Sequence, residues 1–169
     1  MLNQVKVGLL SLWLGAALFF SAVVAPAAFG VLRQFDVANA GEIAGAIVNR
    51  SLRVVNLCGF LIGLLVLLAT LSSTRQRKLA FVLQAVSMLV MATTTALGHW
   101  VVAAQMHALR IAMVLPIDRI NATDPRRVAF DRLHGYSVGL LSTAMLAAIL
   151  GIALIVLLPQ TAKANREIR

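Results

Sequence analysis

The stretch VVNLCGFLIGLLVLLATL, from Val54 to Leu71, runs for eighteen residues without a charged side chain. A helix rising about 1.5 Å per residue needs roughly 20 mostly apolar residues to cross about 30 Å of hydrocarbon. This stretch reads as one such crossing. Three others read the same way. The first runs from about Val5 to Ala25, with Lys6 at its start. The third spans about Leu79 to Ala104 and keeps helical character to Leu115, where Pro116 stops it. The fourth runs from about Tyr136 to Leu158, ahead of Pro159. Lipid-exposed backbone must satisfy its own hydrogen bonds, and runs of this length favour helices over barrel strands. The expected fold is all-α: a single four-span membrane bundle over 1–169, with two longer, partly helical loops on one face.

Composition agrees. Of 169 residues, 60% are hydrophobic and 12% charged, with mean hydropathy +0.90. Soluble domains carry about 45–50% apolar and about 25% charged residues, so a water-facing enzyme, a nucleic-acid-binding domain and a disordered tail are excluded together. The net charge of +9 comes from residues between the apolar runs, where lipid headgroups lie. Membrane lipid is the expected partner, and nucleic acid is not. The lone Cys58 excludes an intrachain disulfide and a multi-thiolate metal site.

The first apolar core, Val7 to Val24, exceeds a signal-peptide h-region of about 7–15 residues, so it reads as a retained helix that Pro26 ends. Ser72 to Lys78 (SSTRQRK) is a short basic turn that makes spans two and three a hairpin. The longer connections, Ala27–Arg53 and Pro116–Gly135, share the opposite face. The first contains AGEIAGAIVNRSLRVV, with Ile43, Ile47 and Val54 on one side and Glu42, Asn49 and Arg53 elsewhere; it either lies in the interface or extends span two. The second restarts as a helix at Pro125, with Asp124 as N-cap. Seven basic residues flank the hairpin face, including Lys6, and eight the loop face. Crowding of three into the short turn places both termini in the cytoplasm, in a bacterial inner membrane.

Polar residues collect at the outer, loop-bearing mouth. His99 lies roughly 30 Å along the third helix from Leu79, beside Trp100. Asn56, His134 and Tyr136 share its level. At about 100° per residue, His99, Met106 and Arg110 fall on one stripe, continued downward by Thr95 and Met88. Arg127, His134, Leu141 and Met145 form another, with Asp131 close by, and His107 stands to the side of His99. Should the two stripes face each other, His99 and His134 converge. Imidazole suits iron, copper and zinc, and Met106 or Met113 suits Cu(I), so His99, His134 and Met106 form a candidate metal or haem b site. The alternative is interfacial histidines that bond loop backbone. Asn56, His107, Arg110, Arg127 and Asp131 complete the mouth cluster, as a site for an anion or as ordinary headgroup contacts. The small-residue pairs Gly59/Gly63 and Gly135/Gly139, and the Gly8/Gly15/Ala22 face, read as packing within the bundle, or against a second copy or partner membrane protein. Walker loop, nucleophile elbow, H-E-x-x-H motif and paired carboxylates are absent.

LWLGAALFFSAVVAPAAFGVL at Leu12–Leu32, the AGEIAGAI stretch, and FDRLHGYSV at Phe130–Val138 resemble the bacterial branch of the transmembrane-protein-205-like family. The resemblance implies a small four-span membrane protein and brings no established activity. More distantly, the layout is similar to copper-resistance D proteins and haem-dependent membrane protoporphyrinogen oxidases, which would make His99 and His134 ligands; the complete ligand set and the lysine expected of such an oxidase are not matched. Three readings follow. The first is non-enzymatic handling of a small solute, metal or lipid at the outer mouth. The second is a haem- or copper-binding redox protein using His99 and His134, and the third is an assembly subunit of a larger complex.

Overall fold

The computed structural model describes residues 1–72, 78–113 and 115–158. The four apolar runs form four long helices, α1 (Leu2–Gln34), α2 (Ala40–Leu71), α3 (Lys78–Ala112) and α4 (Pro125–Leu157), each apolar and long enough to cross a membrane. A single 3₁₀ turn, Ile117–Arg119, lies between α3 and α4. No strand occurs among the described residues. The protein is an all-α, multi-pass membrane bundle. The basic turn expected at Ser72–Lys78 falls mostly outside the described residues.

Each helix outruns its expected span. Pro26 does not end α1, which continues to Gln34. A proline lacks the N–H for its own helical bond, and its ring crowds the carbonyl four residues back. Here the backbone widens into a π turn over Phe20–Val24 just before Pro26, and the helix passes through. The amphipathic stretch takes the second of its two readings: it is the first half of α2, one helix over Ala40–Leu71. Between α1 and α2 the chain reverses through Asp36 (φ 47°) and Asn39 (φ 59°), residue types that tolerate the left-handed region. The Asp124 cap forms as expected, its side chain accepting from Arg126 N at 2.8 Å. Helix α3 ends at Ala112, before the expected Leu115, and the Arg126 guanidinium donates to the Ala112 carbonyl at 2.8 Å, one of the last four carbonyls that a helix leaves unpaired.

The helices form a four-cornered ring in which α1 packs on α2 and α4, and α3 packs on α2 and α4. Leu10, Trp13, Met88, Met91, Leu141 and Ala148 fill its centre. Gly59 is where three helices meet. A Cβ there would lie 2.8 Å from the Trp13 indole and 2.8 Å from the Thr95 methyl, closer than real Cβ atoms come. The bare backbone lets Trp13 Nε1 donate to the Val55 carbonyl at 2.9 Å. Gly63 has the same role against α3, with a would-be Cβ 3.2 Å from Ala92 N. The Gly135/Gly139 pair does not: an added Cβ at either meets nothing within 4 Å, as at Gly8 and Gly15, so these glycines serve no close approach among the described residues. Lys6 also departs from expectation. Instead of reaching the headgroups it is 2% exposed, and its ammonium donates to Thr70 Oγ1 at 3.1 Å.

Gly59→Ala should therefore destabilise the bundle by about 1–3 kcal/mol, the usual cost of overpacking a filled core. Gly139→Ala should be neutral or stabilising by up to about 1 kcal/mol, from helix propensity alone. Thermal unfolding of both variants in detergent checks the pair, and equal losses would contradict the packing described.

Candidate binding cavity at the loop-bearing mouth

The upper part of α1, Ala25–Gln34, packs on α2 and makes no comparable packing with α4. The bundle is thus parted at its loop-bearing end, leaving a cavity of about 310 Å³ between α1, α2, α3 and α4. Small-molecule pockets run from ~300 to ~1,000 Å³, so this one is at the small end. Its walls are largely apolar, with Phe29, Val48, Leu52, Met106, Ile117 and Phe130 among them.

Helix α2 lines one side with Glu42, Gly45, Asn49, Leu52, Arg53 and Asn56. Positions 42, 49, 53 and 56 recur at helical spacing, which puts their side chains on one face. Helix α3 supplies Gly98, Ala103, Met106, His107 and Arg110, and α4 supplies Phe130, His134 and Ser137. The π segment Leu97–Val102 decides which α3 residues take part. A π turn holds one more residue than an α turn, so everything above it rotates by about 100° against a straight helix. Gly98 and Met106 therefore both reach the cavity, while His99 is carried off the stripe assigned to it.

His99 is not on the cavity wall. Its Nδ1 lies 3.1 Å from the Arg53 carbonyl; a carbonyl only accepts, so Nδ1 carries the proton and donates. The ring packs edge-on against Trp100 at 4.7 Å, and Trp100 against Phe60 at 5.0 Å, an aromatic group of the kind found at membrane interfaces. His134 and His107 do line the cavity, as does Met106. His99 and His134 are thus not assembled on one wall, and the described residues hold no group of three or more His, Cys, Asp or Glu placed for a metal. Arg127 and Asp131 also lie off the wall. The Arg127 Nη1 donates to the Ile120 carbonyl at 2.8 Å and the Ile117 carbonyl at 3.1 Å, pinning the turn above the mouth, and Asp131 stands 3.9 Å from Arg127.

At the innermost end lie Asn56 and Ser137, 4% and 7% exposed, with no side-chain hydrogen bond to another described residue. The Asn56 amide rests on Gly98, where a Cβ would come within 2.9 Å of Nδ2. Nearer the opening, Arg110 pairs with Glu42 at 3.2 Å, yet its Nη1 is buried without a partner among the described residues. Arg33 and Arg53 line the same space. Three arginines against one glutamate give the cavity a cationic bias. Arg33, Glu42, Arg53 and Ser137 escaped the sequence reading as cavity residues. The polar stripe on α2 could have shown Glu42 and Arg53, but nothing in sequence tied Arg33 or Ser137 to them.

These features define an integral membrane protein of four packed helices with a small, cationic, mostly apolar cavity at one mouth. Residues 8–114 match the family model of a domain of unknown function, DUF4149, and the chain belongs to that family. The match covers α1 to α3 and leaves α4 outside. No curated protein and no solved structure gives a significant match.

His99→Ala removes a cross-helix hydrogen bond and should cost about 1 kcal/mol. His134→Ala, at an exposed position, should leave stability unchanged. Thermal unfolding followed by tryptophan emission, with Trp100 against the lost ring, checks both.

Proposed function

We propose that this protein binds, without chemical conversion, a small single-chain amphiphile with an anionic head in the cavity between α1, α2, α3 and α4. The observation that carries the reading is the cavity itself. Apolar walls suit a short hydrocarbon chain, the three arginines exceed the one acidic side chain, and the Arg110 Nη1 has no partner among the described residues. Asn56 and Ser137 supply further hydrogen-bonding groups that make no side-chain hydrogen bond among the described residues. A carboxylate or phosphate meets these groups with charge-assisted bonds, worth about 1.5–3 kcal/mol each. A neutral or cationic head would forgo that gain.

The same reading places both termini on the cytoplasmic side of a bacterial plasma membrane, because basic residues crowd Ser72–Lys78. The cavity then opens on the far side, within reach of outer-leaflet lipid. Resemblance to the transmembrane-protein-205-like proteins accords with such a four-span resident and adds no chemistry to it.

The test is titration of dansylundecanoate into protein in lipid nanodiscs, against empty nanodiscs. Saturable binding is expected, displaced by dodecanoate and not by dodecyltrimethylammonium. Arg110→Gln should weaken it at least tenfold, the loss of one charge-assisted bond. Gly45 lines the cavity, and an added Cβ there meets nothing within 4 Å. Gly45→Phe should therefore fill the space and abolish binding while the unfolding temperature holds. Undiminished binding in Gly45→Phe would sink the proposal.

A further inference from the structure

At the opposite end of the bundle a second polar layer is buried. Lys6 is 2% exposed, Gln84 4% and Thr70 0%. Register places them at one level of the bundle. Leu10 and Met88 meet at Gly151, where a Cβ would touch both side chains. Helices α1 and α3 both run upward from the hairpin face, and Lys6 and Gln84 each lie one turn below those residues. Gly63 faces Ala92; because α2 and α3 are antiparallel, Thr70, seven residues on, falls at the level of Gln84, eight residues back.

This layer holds donors in excess. The Lys6 ammonium has three N–H groups, and its hydrogen bond among the described residues goes to Thr70 Oγ1. That hydroxyl in turn donates to the Val66 carbonyl at 2.7 Å. The Gln84 Nε2 has two N–H groups and is buried with no partner among the described residues. A lysine near a membrane surface ordinarily extends its ammonium to water; this one is covered by protein. An unneutralised ammonium in low dielectric costs several kcal/mol, and neutral oxygens offset only part of that. Carboxylates do not supply the balance from the far face. Of the six acidic residues, five (Asp36, Glu42, Asp118, Asp124 and Asp131) belong to the loop-bearing end, about 40 Å from Lys6 along α1 by helical rise. The sixth, Glu167, lies in the C-terminal stretch outside the described residues.

We propose that the Lys6–Thr70–Gln84 layer is a binding site for a small monovalent inorganic anion of chloride size, held by the ammonium and the Gln84 amide. The site is independent of the mouth cavity, and it stabilises the bundle by neutralising Lys6 where the Lys6–Thr70 hydrogen bond joins α1 to α2.

The experiment is thermal unfolding of the full chain in a neutral detergent at constant ionic strength, with chloride replaced stepwise by gluconate, which is too large for such a layer. For the unaltered protein, the midpoint should rise with chloride by a few degrees; bromide should substitute. Lys6→Met keeps the length of the side chain and removes the charge. It should unfold at or above the temperature of the unaltered protein in gluconate and show no response to chloride. Gln84→Met should retain the response with at least a tenfold weaker apparent affinity. An unaltered protein indifferent to chloride, or a Lys6→Met variant that still responds, overturns the proposal. A stability loss in Glu167→Gln with no chloride response in the parent overturns it too, by assigning the counter-charge to the chain's own tail.

Discussion

Contact between Trp13 and Gly59 is the constraint on which the rest of the bundle depends. In hydrocarbon, apolar surface gains little by leaving lipid for protein, so helices associate through close packing and hydrogen bonds. Gly59 provides both. Its missing side chain admits the indole ring of α1 and the Thr95 methyl of α3 to the same patch of α2, and the indole N–H then reaches the Val55 carbonyl. Three of the four helices are fixed at one point. The fourth closes the ring through small residues, Ala144, Ala148 and Gly151, all buried.

The mouth cavity follows from that point. Asn56 is one turn above Gly59 on α2, and Gly98 is one turn above Thr95 on α3. Packing is therefore tight up to this level and loosens beyond it, where Ala25–Gln34 leans on α2 alone. Two π turns, one in α1 before Pro26 and one in α3 around His99, sit near this transition. Each inserts one residue into the helical count, so the face that packs below need not be the face that packs above. A bundle built from uninterrupted α-helices would carry its lower packing stripe into the upper half. Here the offset brings Gly98 and Met106 to the cavity and leaves His99 to bond α2 from outside it.

How much of this was legible in the sequence divides along the same line. Spans follow from the length of apolar runs, a property of the chain alone, and Val54–Leu71 could be little else in a membrane. The Asp124 cap followed from side-chain chemistry followed by Pro125. Clustering of polar residues at one mouth came from rise per residue, which a π turn hardly alters, and Asn56, Met106, His107, Arg110 and His134 do line the cavity. Facing is what the sequence leaves open. His99 was assigned by an angle accumulated at a constant 100° per residue, and a single extra residue is enough to undo that. Pro26 misled for a related reason: the rule that proline ends a helix presumes an α register, and the π turn suspends it. Lys6 was read by where lysines usually go, and only the packing of α2 over it shows that it does not reach water.

Between the two buried polar layers the interior is apolar and closely filled. From the cavity floor at Asn56 and Ser137 down to Lys6 and Gln84 the axis is occupied by Trp13, Leu10, Met88, Met91 and Leu141, each nine-tenths buried or more. The polar side chains in this stretch are turned to their own backbone: Thr95 Oγ1 donates to the Met91 carbonyl at 2.7 Å and Ser87 Oγ to the Leu83 carbonyl at 2.9 Å. An ion or polar solute moving along this axis would shed its hydration and find no replacement partners for several helical turns, at several kcal/mol for each unmet polar group. The arrangement observed thus separates its two polar ends.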